Sequence, residues 1–222
     1  MASTGRKRRG VRVVALDFDG VILESSRIKA EAYEALFQGF TSHQEAIRSY
    51  QRENGGLPRK VQIAHVHGAI LGRALSEVEL DAWCGRYSSL VLDRVMRAPF
   101  VAGALEFLRE QRSGYRLHLA SATPEEELRM VVRERGIAPF FRDVRGAPRR
   151  KADILRDICG SEACAEGDMV FVGDSPSDRE AAQEAGVPFI ARLGDVPGLE
   201  DVPCWIRDLR ELPARLKELS AE

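Results

Sequence analysis

Two aspartates one residue apart, Asp17 and Asp19, close the apolar run Val13-Val14-Ala15-Leu16 and are followed by Gly20. A short apolar run reads as a strand buried in a parallel sheet, and the carboxyl end of such a strand is where open α/β sheets bind their ligands. Carboxylates this close raise one another's proton affinity, which costs stability unless a cation or a substrate uses the pair. For the segment alone, an Asp-Gly turn leading into a helix cap is the plainer alternative.

Further chemistry-bearing residues fall at other strand ends. The run Leu119-Ala120-Ser121-Ala122-Thr123-Pro124 brings a hydroxyl to the mouth of the sheet. Ser121 and the backbone amides after it, Ala122 included, are suited to bind an oxyanion. Thr123 with Glu126 reads as a capping box, with Pro124 at the first helical position, so Thr123 is assigned a structural role. Phe171-Val172-Gly173-Asp174 delivers another acid, and Asp178 reads as the N-cap of a following helix. Asp17, Asp19 and Asp174 together make an all-oxygen set suited to Mg²⁺, a small hard cation that keeps several waters. Of the five lysines, Lys151 alone lies between the strand ends at Ser121 and Asp174, and it opens a helix from which it can reach a phosphoryl oxygen and Asp17.

Positioning these groups requires alternating strands and helices. The pattern predicts strands at Arg12 to Leu16, Tyr115 to Ala120, Asp143 to Arg145, Met169 to Val172 and Pro188 to Ala191. Helices are predicted at Gly103 to Gln111, Pro124 to Arg135, Ala152 to Cys159 and Asp178 to Ala185. Such alternation specifies a doubly wound parallel sheet with helices on both faces, a Rossmann-like three-layer α/β core. From Ser26 to Met96 the texture is helical throughout. Ile28, Ala32, Ala35 and Leu36 form one stripe, Leu80, Trp83, Tyr87, Val91 and Val95 another, and Ser76 with Glu79 makes a capping box. The expected division is therefore a core of residues 1–25 and 98–222 and a helical cap of residues 26–97, with hinges near Glu24 to Arg27 and Ala98 to Gly103.

Composition excludes several other classes. The 222 residues are 44% hydrophobic and 30% charged with a formal net charge of −1, which argues against a nucleic-acid or membrane partner. The basic tract Arg6 to Arg9 reads as a solvated tail. No apolar run is long enough to span a membrane and no signal-peptide core follows the start, so the cytoplasm is the expected location. Cys84, Cys159, Cys164 and Cys204 form no C-x-x-C pair, which speaks against disulfide or zinc roles. His65 and His67, two apart on a helix, do not face each other and read as surface or packing residues.

With four stations in order, the chain resembles the haloacid dehalogenase superfamily, in the branch with a helical cap after the first strand, close to phosphoglycolate phosphatases and β-phosphoglucomutases. Asp17, Asp19 and Gly20 match its first motif, Ser121 its second, Lys151 its third, and Asp174 with Asp178 its fourth. Where many relatives have proline after the lysine, this chain has Ala152. The resemblance implies a Mg²⁺-dependent phosphatase acting on a small phosphorylated metabolite. It implies Asp17 as nucleophile forming an aspartyl-phosphate, and Asp19 as acid and base with a raised proton affinity. Mg²⁺ would be held by Asp17, Asp174 and the Asp19 carbonyl. Gly20, Ser121, Ala122 and Lys151 would bind the phosphoryl oxygens, and Asp178 would orient metal-bound water or Lys151. Asp19 favours phosphate over halide as leaving group, and over a phosphonate route through an imine on Lys29 or Lys60. Two alternatives stay open: a sugar-phosphate mutase, whose cap arginine in a G-x-x-R setting would be Arg59, and a non-catalytic binding or scaffold protein. Oligomeric state is not legible.

Overall fold

The structure is a computed structural model and describes residues 10–164 and 166–221; the basic tract at residues 6–9 lies outside the described residues. Six parallel strands form one sheet: β1 (Val13–Leu16), β2 (Arg116–Pro124), β3 (Asp143–Ala147), β4 (Met169–Gly173), β5 (Phe189–Arg192) and β6 (Trp205–Ile206), in the order β3-β2-β1-β4-β5-β6. The helices are α1 (Ser26–Leu36), α2 (Gln44–Asn54), α3 (Arg59–His65), α4 (Glu77–Arg97), α5 (Ala104–Gln111), α6 (Glu125–Glu134), α7 (Lys151–Ser161), α8 (Pro176–Ala185) and α9 (Leu212–Ala221).

Strand periodicity explains the layering. Val14 and Leu16 of β1 point to one face, where residues of α5, α6 and α9 cover them. Val13 and Ala15 point to the other, against α7 and α8. A strand covered on both faces must be apolar throughout, and every residue of β1 and β4 is buried. The predicted α/β core is therefore present, extended by the two-residue β6 and by α9, which the sequence reading did not include. The strand order reverses beside β1, the switch point at which doubly wound sheets bind ligands.

Helices α1 to α4 occupy the chain between β1 and β2. The connecting segments lie side by side: the Glu24 amide donates to the Pro99 carbonyl (2.9 Å) and the Val101 amide to the Ile22 carbonyl (3.0 Å). The Ser76–Glu79 capping box opens α4 as expected, and Leu80, Tyr87, Val91 and Val95 are its buried stripe. The two histidines are packing residues: His65 stacks on Tyr50 (4.1 Å between ring centres), and His67 meets Trp83 edge-on at 4.5 Å.

Two local expectations change. Strand β2 runs on to Pro124, which pairs with Ala147 after a register shift, so α6 begins only at Glu125 and has no side-chain cap. Thr123 thus remains in the strand, and its hydroxyl serves the site instead. Helix α8 begins at Pro176 with Ser175 as N-cap, and Asp178 is the third helical residue of that capping box. Pro176 carries no amide hydrogen to satisfy and suits the first helical position, which moves the start two residues earlier than predicted.

Candidate active site

Because β1 lies between β2 and β4, Asp17, Ser121 and Asp174 converge at one rim of the sheet. They line a cavity of about 390 Å³ that is closed from the other side by residues of α1 and by the segment Gln51 to Gly56. Lys151, at the start of α7, donates from Nζ to Asp17 Oδ2 at 2.9 Å and also contacts Asp178 Oδ1. Asp178 is fully buried and accepts at Oδ2 from the Ser175 amide (3.1 Å) and hydroxyl (2.6 Å). Asp178 is thus held from both sides, and its free orientation is spent on Lys151 and the helix cap.

Asp17, Asp174 and Asp178 each offer a carboxylate oxygen within 4.8 Å of the others. Burial, together with the charges of Asp178 and Asp19, pushes the Asp17 carboxyl up to about 7 despite Lys151. Burial and the neighbouring Asp178 and Asp17 likewise hold Asp174 well above the usual carboxylate range. Burial works against the Lys151 ammonium, but Asp17 and Asp178 outweigh it and hold the proton firmly. Three buried carboxylates against one ammonium leave an excess of negative charge, and all-oxygen donors of this kind fit a hard divalent cation.

Gly20 shows how tightly the rim is built. Its φ is +70°, and a Cβ there would lie 1.8 Å from Asp174 Oδ2, so both the backbone conformation and the close approach call for glycine. Asp174 Oδ2 accepts instead from the Ser26 hydroxyl at 2.7 Å. Ser121 is buried on the same rim, where its oxygen accepts from the Thr123 amide (3.1 Å), and Ala122 lines the cavity beside it.

The Asp19 side chain turns away from this acidic group. It accepts from the Ser25 hydroxyl at 2.7 Å, from the Thr123 hydroxyl at 3.1 Å and from the Lys29 ammonium, which also reaches Thr123 Oγ1 at 2.6 Å. Burial alone would raise the proton affinity of Asp19, but the Lys29 charge and these three hydrogen bonds together lower it. The expected raised affinity is therefore not found in this arrangement, and Asp19 is a carboxylate. Lys29, Ser25 and Ser26 were not picked out as site residues from the sequence. Their signal is faint: Ser26 and Lys29 lie three apart at the start of a helix that follows the Asp17 strand, and so share a face.

Arg59 is not in the cavity. Its guanidinium forms a two-pronged pair with Glu127 of α6 (2.9 and 2.7 Å), contacts Ser88 of α4, and lies 4.9 Å from the centre of the Tyr87 ring. Arg59, expected to bind substrate, does not line this cavity; with 7% of its surface exposed, it ties the helical block to the core. Glu127 lies 68 residues away, so no local pattern announces it.

Residues 14–192 match the family model of haloacid dehalogenase-like hydrolases, and the chain belongs to that family. It is similar to a phosphoglycolate phosphatase of Pseudomonas syringae pv. tomato, 27% identical over 95% of this chain and 82% of that protein. A phosphoglycolate phosphatase of Pseudomonas aeruginosa is 24% identical over 90% and 78%. Among solved structures, CbbY of Rhodobacter sphaeroides in complex with phosphate superposes with a TM-score of 0.73 at 17% identity, covering 93% of this chain and 99% of that one. A β-phosphoglucomutase of Clostridium difficile gives 0.74 at 14% identity over 96% and 100%.

Proposed function

We propose that the protein is a Mg²⁺-dependent phosphatase that hydrolyses a small phosphate monoester, with residues 26–97 acting as a cap domain over a core of residues 1–25 and 98–222. The observation that carries this reading is the convergence of Asp17, Lys151 and Asp174 on a cavity of about 390 Å³ at the end of the central strand, with Asp178 buried behind Lys151. Asp17 and Asp174 would hold Mg²⁺ by their side chains and Asp19 by its carbonyl. When bound, the ion offsets the negative charge that would otherwise repel a phosphate dianion.

Asp17 attacks phosphorus, the bond to the ester oxygen breaks, and the phosphoryl group rests on the aspartate; water then displaces it as inorganic phosphate. Lys151, held by Asp178, donates to a phosphoryl oxygen, as do the Ser121 hydroxyl and the amides around Gly20 and Ala122. Asp19, as paired with Lys29, suits the second half, drawing a proton from the attacking water. Protonation of the leaving oxygen in the first half requires that pair to open when substrate enters.

Arg27, Lys29 and Arg52 line the cap side of the cavity, which favours a substrate with a second anionic group. Together with the activity of the relatives, this makes 2-phosphoglycolate the first ester to test, and the cytoplasm is the location proposed for its hydrolysis. The mutase reading drew on a cap arginine free to hold a distal phosphate, whereas Arg59 is committed to Glu127. A panel of phosphate monoesters assayed with Mg²⁺ and with chelator, beside hexose-phosphate isomerisation, tests the proposal. Metal-dependent phosphate release is expected, and isomerisation without net release overturns it.

A further inference from the structure

Helix α7 ends in a turn whose hydrogen bonds are those of a Schellman motif. The Cys164 amide donates to the Cys159 carbonyl at 3.1 Å and the Ala163 amide to the Gly160 carbonyl at 3.2 Å. Ala163 supplies the left-handed residue, at φ 46°. Such a turn folds the residue two beyond the cap back onto the third-last helical residue, where an apolar contact is usual. Here both positions are cysteine. Five residues apart on a continuing helix, two side chains would point to different faces and sit well apart along the axis; the reversal at Ala163 is what brings them together.

The two sulfurs are 3.4 Å apart, and each thiol also faces the carbonyl of the other residue, Cys159 Sγ at 3.0 Å and Cys164 Sγ at 3.6 Å. Cys159 is buried and Cys164 half-exposed. Between them Glu162 pins the turn to β2, with an oxygen 2.8 Å from Arg116 and another 2.8 Å from His118 Nε2. A bond between the sulfurs thus needs little movement of a backbone that is already held.

We propose that Cys159 and Cys164 form a reversible dithiol–disulfide site that reacts with low-molecular-weight disulfides. The Cys164 thiolate attacks one sulfur of the reagent, whose S–S bond breaks and releases one small thiolate. The Cys159 thiol gives its proton to solvent and attacks the Cys164 sulfur of the mixed disulfide. The protein S–S bond forms and the second small thiolate leaves. The two cysteines together lose two electrons, and the reagent gains them. The site sits at the opposite end of α7 from Lys151, roughly 12 Å along the helix axis, so oxidation removes no group from the proposed active site.

The test treats the full chain with oxidised glutathione, alkylates the remaining thiols under denaturing conditions and maps the peptides. Of the four cysteines, Cys159 and Cys164 are expected to escape alkylation, to be joined to each other, and to become reactive again after dithiothreitol. Alkylation of all four, a mixed disulfide that persists on Cys164, or a bond that includes Cys84 or Cys204 overturns the proposal. Since replacing the buried Cys159 risks the fold, the matching variant is Cys164→Ser. It is expected to release phosphate like the parent while its three cysteines all remain open to alkylation; protection of any pair in that variant contradicts the assignment.

Discussion

Lys151 bridges two buried carboxylates, with Nζ 2.9 Å from Asp17 Oδ2 and in contact with Asp178 Oδ1. One ammonium therefore offsets two charges that water no longer screens, while Asp174 crowds the same space. In Lys151→Met the carboxylates lose that partner. Removing one member of a buried ion pair costs about 3–5 kcal/mol, and a loss of that size is expected in denaturant unfolding without added metal. Phosphate release should fall by about 100-fold or more, because a donor to the transferring oxygens is gone. Unchanged stability would show that Lys151 does not sit between these acids.

Arg59 and Glu127 make a separate prediction. If their pair ties the helical block to the core, Arg59→Met should destabilise the protein by about 1–3 kcal/mol, since it leaves the half-buried Glu127 with only the Ser88 hydroxyl as partner. The double variant Arg59→Met/Glu127→Leu should recover much of that loss. Were Arg59 a substrate residue instead, the single variant would raise KM and leave the unfolding midpoint in place. Thermal unfolding beside steady-state kinetics separates the two outcomes.

Stability should also depend on pH through His118. Burial lowers the proton affinity of its imidazole below the ordinary 6.5, even though Glu162 favours the charged form. Its Nε2 meets Glu162, while Nδ1 is buried with no hydrogen-bond partner among the described residues, so a proton on Nδ1 would have no acceptor. The unfolded chain then binds the proton more readily than the folded one. The contribution is complete above 6.5 and is lost as pH falls from there through the lower folded value. Denaturant unfolding between neutral and mildly acidic pH should show this decline, and His118→Gln should flatten it. An equal decline in both proteins assigns the effect to other groups.

How far the sequence could be read follows from the range of each interaction. Asp17, Ser121 and Asp174 were legible because each lies toward the carboxyl end of a buried strand, and alternation with helices makes those strands parallel, so that their ends share one edge. Lys151 was legible because it opens the helix between two of those strands. The role of Lys29 depends on how α1 lies over the rim, a matter of packing between elements. Arg59 fits a local G-x-x-R pattern, yet a distant glutamate decides its direction. Thr123 was read as a cap because Pro124 and Glu126 follow it; the pairing of Pro124 with Ala147 overrides that local preference. The contact between Cys159 and Cys164 rests on one left-handed alanine, a conformation that composition does not announce. Strand β6, two residues long, is too short to carry any periodicity.

Phosphate release by Asp17→Asn beside the parent protein, purified identically and assayed with Mg²⁺ on 2-phosphoglycolate, decides whether Asp17 is the nucleophile. The amide cannot form the acyl-phosphate, so a loss of about 1,000-fold or more in turnover is predicted. Turnover equal to that of the parent would rule out Asp17 as the nucleophile.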